Sequence, residues 1–418
     1  MKFKMNTMEK KWVLYDVANS AFTLLVSTIM PIYFNGLADA AGVSDVDYLA
    51  YWGYATSLVT IIVAVLGPTL GAVSDLKGYK KRLFAAAVAV GCIGCVVMGF
   101  LQSWLWFLGV YVLSKTAYST SLVFYDAMLP DVTQEDRVDE VSSYGYAWGY
   151  IGSCIPFVAC LALVLLYEPL GISMGVAMAI AFAVIALWWF AGSLPLLKAY
   201  RQVHYVETVH SPLKDSFRRL AGIFVELGKR KDILLFLLAF FFYIDGVYTI
   251  IDMATAYGTA LGLDTTGLLL ALLFTQVVAF PCAILFGRLS RRGSAKWILS
   301  VCIGAYFCIA VFAFFLDTLL EFWILAGCVG MFQGTIQAIS RSYYTKIIPA
   351  ERAGEYFGVY DICGKGAAFT GTLLISVVSQ LTNSTNAGVG SLSVMFFVGF
   401  LLFRAAIRSR EKMVESDR

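Results

Sequence analysis

Long apolar runs set what this chain can become. They recur at about 12 to 37, 48 to 73, 83 to 101, 104 to 129, 142 to 166 and 171 to 193, then at about 232 to 258, 264 to 288, 297 to 316, 320 to 345, 354 to 379 and 388 to 406. A helix needs about 20 residues, at roughly 1.5 Å each, to cross a hydrocarbon core of about 30 Å. Each run is of that order. In lipid every backbone N–H and C=O must find its partner within the segment or a closed sheet, and runs of this length without period-two alternation fold as helices. Composition agrees: 60% of residues are hydrophobic and 14% charged, too few polar groups to wet the surface of a water-soluble domain. The reading is an all-α membrane protein of twelve transmembrane helices, solvated by membrane lipids.

The basic residues order these spans across the bilayer. An even number of spans returns both termini to one side, and the loops after spans 1, 3, 5, 7, 9 and 11 contain no Lys or Arg, only acids such as Asp39, Asp45, Asp47 and Asp317. By the positive-inside rule those loops lie outside and both termini are cytoplasmic. The tight loops and short tail point to a bacterial plasma membrane. A net charge of +3 implies no nucleic-acid partner. The nine cysteines all fall in apolar runs, where a thiol behaves as a small hydrophobe. Cys92 and Cys95 form a C-x-x-C, but inside a spanning helix and away from any βαβ pattern, so it implies neither redox chemistry nor a metal. No H-E-x-x-H, G-x-S-x-G or P-loop occurs, which argues against an enzyme; no cofactor or metal is expected.

One long polar segment divides the chain. It separates a six-helix bundle over residues 1 to 193 from another over 232 to 418, with 194 to 231 as linker. Phe217, Leu220, Phe224 and Leu227 recur at helical spacing among Arg218, Arg219 and Lys229 to Lys231. That pattern reads as a basic amphipathic helix on the inner leaflet. The halves also echo each other. Gly71 to Arg82 after span 2 matches Gly287 to Lys296 after span 8; Pro130 to Arg137 matches Pro349 to Arg352; Tyr15 and Asp16 match Tyr243 and Asp245.

Gly71-Ala-Val-Ser-Asp75-Leu-Lys-Gly78-Tyr-Lys80-Lys81-Arg82 resembles the loop motif of major facilitator transporters, although Leu76 stands where many members carry a basic residue. Further stretches narrow the resemblance: Leu14-Tyr-Asp-Val-Ala-Asn-Ser-Ala-Phe22, Phe124-Tyr-Asp-Ala-Met-Leu-Pro-Asp131, Ser142 to Tyr150, Gln333 to Ser342, and Gly364-Lys-Gly-Ala-Ala-Phe369. Together they resemble the branch containing the fungal vacuolar amino-acid effluxers and their bacterial relatives. The resemblance implies two pseudo-symmetric six-helix bundles and secondary active transport of a small solute, with a role in gating for Asp75. Amino-acid efflux is implied more weakly. Lys115 departs from the uncharged residue expected at its place in that branch.

A charge at lipid depth costs roughly 2.5 to 3.5 kcal/mol on insertion scales, so each intramembrane charge should face the protein interior. The set is Asp16, Lys115, Asp245, Asp252, Asp361 and Lys365, with Asp126 and Arg341 nearer the inner ends. Lys115 and Lys365 each lie near mid-depth and would suit an anionic or zwitterionic solute such as an amino acid. Two other readings stay open: Lys115 pairs with Asp245 as a gate, and Lys365 is neutralised by Asp361 four residues earlier. Tyr118, Tyr243, Gln333 and Gln337 complete the candidate substrate contacts. Asp245 or Asp252 would carry the coupling ion, H+ in preference to Na+, because a carboxylate desolvated in a cavity titrates near neutrality and no histidine lies at membrane depth. Asp16 reads as a gate or a helix-packing group with Arg341 as its candidate partner, and Asn19 lies one turn away. The protein is expected to act as a monomer. A transporter-fold sensor or scaffold that moves no solute is the alternative.

Overall fold

The computed structural model describes residues 3–43, 45–207, 222–223, 225–292 and 294–416. Residues 214–221 and 224 of the expected amphipathic linker helix lie outside the described residues; 222–223 and 225–229 are helical. Among the described residues there is no strand, only one isolated parallel bridge between Leu76 and Val206.

Among the described residues these α-helices are delimited: α1 Thr7–Ser27, α2 Ile29–Ala40, α3 Asp45–Ser74, α4 Tyr79–Met98, α5 Trp104–Ala127, α6 Leu129–Val132, α7 Val138–Leu165, α8 Met174–Ala199, α9 Lys231–Ala260, α10 Thr265–Arg292, α11 Ala295–Ala313, α12 Leu319–Ile347, α13 Ala353–Thr382, α14 Thr385–Gly390 and α15 Leu392–Ser416. Their ends are chemically marked. Asn6 and Glu9 form a capping box on α1, and Thr318 and Glu321 form another on α12, each satisfying donors that a helix start leaves open. The first apolar run breaks at Thr28, whose φ of −129° and ψ of −66° separate α1 from α2. Its hydroxyl turns back onto the Leu24 carbonyl at 2.5 Å, a side-chain bond that competes with the helix ladder.

Among the described residues, ten helical stretches are long and apolar enough to cross a membrane, α1 and α2 together forming one of them. The sequence reading expects twelve. Two further helices, α5 with 24 residues and α13 with 30, have the length to span. They carry Lys115 and Asp126, and Asp361 and Lys365.

The structure divides into two compact units, one of Met1–Thr133, Trp148–Leu213 and Glu351–Gly358, the other of Gln134–Ala147, Lys214–Ala350 and Val359–Arg418. In the first, α1 packs on α8, α3 on α5, and α4 on both α5 and α8; in the second, α9 packs on α15, α10 on α12, and α11 on both α12 and α15. The pairings correspond helix for helix, which is the duplication the loop motifs suggest. Close approach in the first unit depends on small residues. A Cβ on Gly71 of α3 would lie 2.2 Å from the Gly354 carbonyl oxygen of α13, and one on Gly358 would lie 2.5 Å from Pro68 Cα. Gly67 and Gly71 face Gly354 and Gly358, each pair one turn apart, so two small-residue stripes cross. Large apolar side chains such as Ile61, Leu105, Leu187, Leu285 and Leu320 are exposed around both units, as lipid-facing surfaces require.

Candidate functional site

In the first unit a buried ionic cluster surrounds Asp75, one residue beyond α3. Its Oδ1 accepts the Gly354 N–H at 2.8 Å and its Oδ2 the Glu355 N–H at 2.9 Å. These are the second and third residues of α13, so the carboxylate caps that helix and meets the positive end of its dipole. Lys80 Nζ lies 3.8 Å from Asp75 and 3.6 Å from Asp131, and donates to the Ala127 carbonyl at 3.0 Å. Asp75, Lys80 and Glu355 are fully buried. Burial pushes the Asp75 carboxyl up to about 6, against the pull of Lys80 and of the two N–H donors. Glu355 is offset by Arg352, whose Nε lies 2.9 Å from its Oε2.

Further along the same unit, a line of polar groups runs through apolar packing. Tyr118 exchanges a hydrogen bond with Thr23 at 2.6 Å and donates to Asn19 Oδ1 at 3.2 Å, while Asn19 Nδ2 donates to the Tyr15 carbonyl at 2.9 Å. The Tyr15 hydroxyl is 2.7 Å from that of Ser121. Lys115 Nζ sits 4.8 Å over the Tyr118 ring and 5.9 Å from the Phe22 ring centre, so aromatic faces receive part of its charge. Asp16 is buried on α1 one turn before Asn19, and Asp126 is half-buried near the end of α5. Of the expected residues, Asn19, Tyr118 and Lys115 thus form one connected group.

In the second unit Asp245 is the most enclosed charge. It lies halfway along α9 with no exposed surface. Its Oδ1 accepts the Gly371 N–H at 3.0 Å and the Thr249 hydroxyl at 3.2 Å, whereas its Oδ2 is buried without a hydrogen-bond partner. Glycine is required opposite: a Cβ on residue 371 would lie 2.2 Å from Thr249 Oγ1 and 2.7 Å from Asp245 Oδ1. Gln333 and Gln337 are buried one turn apart on α12. Tyr243, fully buried, spends its hydroxyl on Ser340 at 2.7 Å. Arg341 donates through Nε to Ser142 Oγ at 2.9 Å and lies 4.4 Å over the Tyr146 ring. Asp252 has an exposed side chain, and Asp361 a half-buried one. The Lys365 side chain lies outside the described residues, so its expected pairing with Asp361 has no geometry here.

A family model described as "Vacuole effluxer Atg22 like" matches residues 7–416. The chain belongs to that family. The "Uncharacterized MFS-type transporter YxiO" of Bacillus subtilis is 41% identical over 407 residues, covering 96% of this chain and 95% of the relative. Autophagy-related protein 22 of Saccharomyces cerevisiae is 22% identical, covering 90% and 87%. Among solved structures, the human organic anion transporter MFSD10 aligns with a TM-score of 0.70 at 13% identity over 95% of this chain and 99% of that one. The fucose:proton symporter FucP of E. coli aligns at 0.65 and 16%, over 96% and 97%. The fold is therefore that of the major facilitator superfamily, and this Atg22-like protein is an integral membrane transporter, not an enzyme.

Sequence reasoning missed several members of the Atg22-like protein's polar clusters. Asp131 ends a quoted motif, yet nothing in the motif says that it faces Lys80. In the second unit, Asp139 at the start of α7 takes Lys346 Nζ at 2.7 Å and Ser290 Oγ at 2.6 Å. The repeat could have signalled this group, since Ser290 follows Gly287 as Ser74 follows Gly71. Glu9, fully buried, accepts from Thr133 at 2.7 Å.

Proposed function

We propose that this Atg22-like transporter moves a small anionic or zwitterionic solute of the amino-acid class by alternating access, coupled to protons through Asp245. The observation that carries the coupling is the state of that carboxyl: fully buried, one oxygen holding two donors, the other holding none. A buried carboxyl oxygen without a partner is a costly arrangement for an anion and a natural place for a proton. Lys115 on its aromatic bed, with Tyr118, Gln333, Gln337 and Lys365, supplies the solute contacts. Residues 353–358 of α13, Gly354 and Glu355 among them, fall in the first unit while 359–382 fall in the second. Breaking and remaking the Asp75 cap on α13 therefore gates the cycle. The twelve-span topology with both termini cytoplasmic, the monomer, the bacterial plasma membrane and the division at residues 194 to 231 belong to the same reading.

The test is uptake of labelled amino acids into proteoliposomes under an imposed pH gradient. Wild type should accumulate a subset of them. Asp245→Asn should bind and exchange solute but lose the gradient response, and Lys115→Ala should weaken half-saturation about tenfold with coupling intact. Absence of flux for any amino acid, with ligand-dependent partner binding instead, would favour the sensor alternative.

A further inference from the structure

The stretch that follows α8 is extended, and it spends its hydrogen-bonding groups on the loop that carries Asp75. Gln202 mimics a strand partner: its Oε1 accepts the Gly78 N–H at 2.9 Å, and its Nε2 donates to the Ser74 carbonyl at 3.1 Å. Val206 N donates to the Asp75 carbonyl at 2.8 Å, making the bridge with Leu76. Lys77 Nζ stands 5.0 Å over the Tyr205 ring. These contacts satisfy carbonyls that the end of α3 leaves open.

The other anchor is Asp131. Its Oδ1 accepts from His204 N at 2.8 Å and Val203 N at 3.2 Å and lies 2.9 Å from His204 Nδ1; its Oδ2 accepts the Tyr200 hydroxyl. Asp131 also competes with Asp75 for the single Lys80 ammonium, 3.6 and 3.8 Å away. Every donor the stretch gives Asp131 lowers that carboxylate's demand on Lys80 and leaves more of the cation's field to the ionised Asp75. The charged and titratable groups in reach are Lys80, His204 and Tyr200 for Asp131, and Lys80, Glu355 and Tyr200 for Asp75.

We propose that residues 200–206 are a positioning strap for the Asp75 cap on α13. Gln202 fixes the loop, His204 and Asp131 set the share of Lys80 that Asp75 receives, and the inter-half linker, which the strap begins, thereby sets how easily the cap opens. The inference does not depend on the identity of the solute or the coupling ion.

Amide hydrogen exchange of the full chain in lipid nanodiscs at pH 7 tests it. The peptide covering 353–358 reads opening of the cap, a site that neither Gln202 nor His204 touches. Gln202→Ala and His204→Ala should each speed exchange there about tenfold, the effect of losing one hydrogen bond to a charged group or its support. His204→Asn, which keeps an N–H donor near Nδ1, should restore most of the protection. In an Asp75→Asn background the strap substitutions should add nothing. If exchange rises only at 74–78 and 200–206 while 353–358 keeps its wild-type rate, the strap is local packing and the proposal fails.

Discussion

Asp75 concentrates the physics of a single residue. Its carboxyl rises from 3.8 to about 6 because burial outweighs Lys80 and two backbone donors. Between about pH 4 and 6 the folded protein then holds a proton that the unfolded chain has released, so stability falls as pH rises through that window. By about pH 7 the ionised carboxylate costs of order 3 kcal/mol, at about 1.4 kcal/mol per unit. The cap is therefore held at a cost that opening can relieve. Asp75→Asn removes the titration and keeps an acceptor oxygen. Its denaturation midpoint should change less between pH 5 and 7 than that of wild type, and parallel slopes would reject the assignment. The acid itself stands out in the sequence as part of a loop motif. Its partners do not, because Gly354 and Glu355 act through backbone N–H groups that no side-chain pattern announces.

At the scale of elements, the crossing of α3 over the first turns of α13 is the most exacting contact, since Gly71 has no room for a methyl group beside the Gly354 carbonyl. Gly71→Ala should cost about 1 to 3 kcal/mol through overpacking. Gly36→Ala, with nothing within 4 Å of the added carbon, should be neutral or gain up to about 1 kcal/mol from helix propensity. Thermal midpoints of the two purified variants check the pair, and equal shifts would mean that the crossing is slack. The apolar runs made the spanning helices legible, because lipid leaves no other way to satisfy the backbone. They could not show the break at Thr28, which turns on one hydroxyl, or the extended strap, which has no periodicity.

The proposed orientation of the whole molecule rests on its charges. Its 31 Lys and Arg residues avoid the loops after spans 1, 3, 5, 7, 9 and 11, and in short loops such a bias sets topology. It also decides which compartment the clustered ions meet. Asp75, Lys80, Asp131 and the strap all lie at the end of the first unit that the basic residues mark as inner. A carboxyl titrating at about 6 would then be mostly ionised in a near-neutral cytoplasm, where opening relieves its burial, and internal acidification would favour the closed cap while external acid has no effect. Single cysteines placed in a background without native thiols decide the matter. In intact cells, an impermeant maleimide should label Gly42→Cys and Asn383→Cys, and should reach Glu135→Cys only after the membrane is opened. The reverse pattern would turn the cap outward and make external pH its signal.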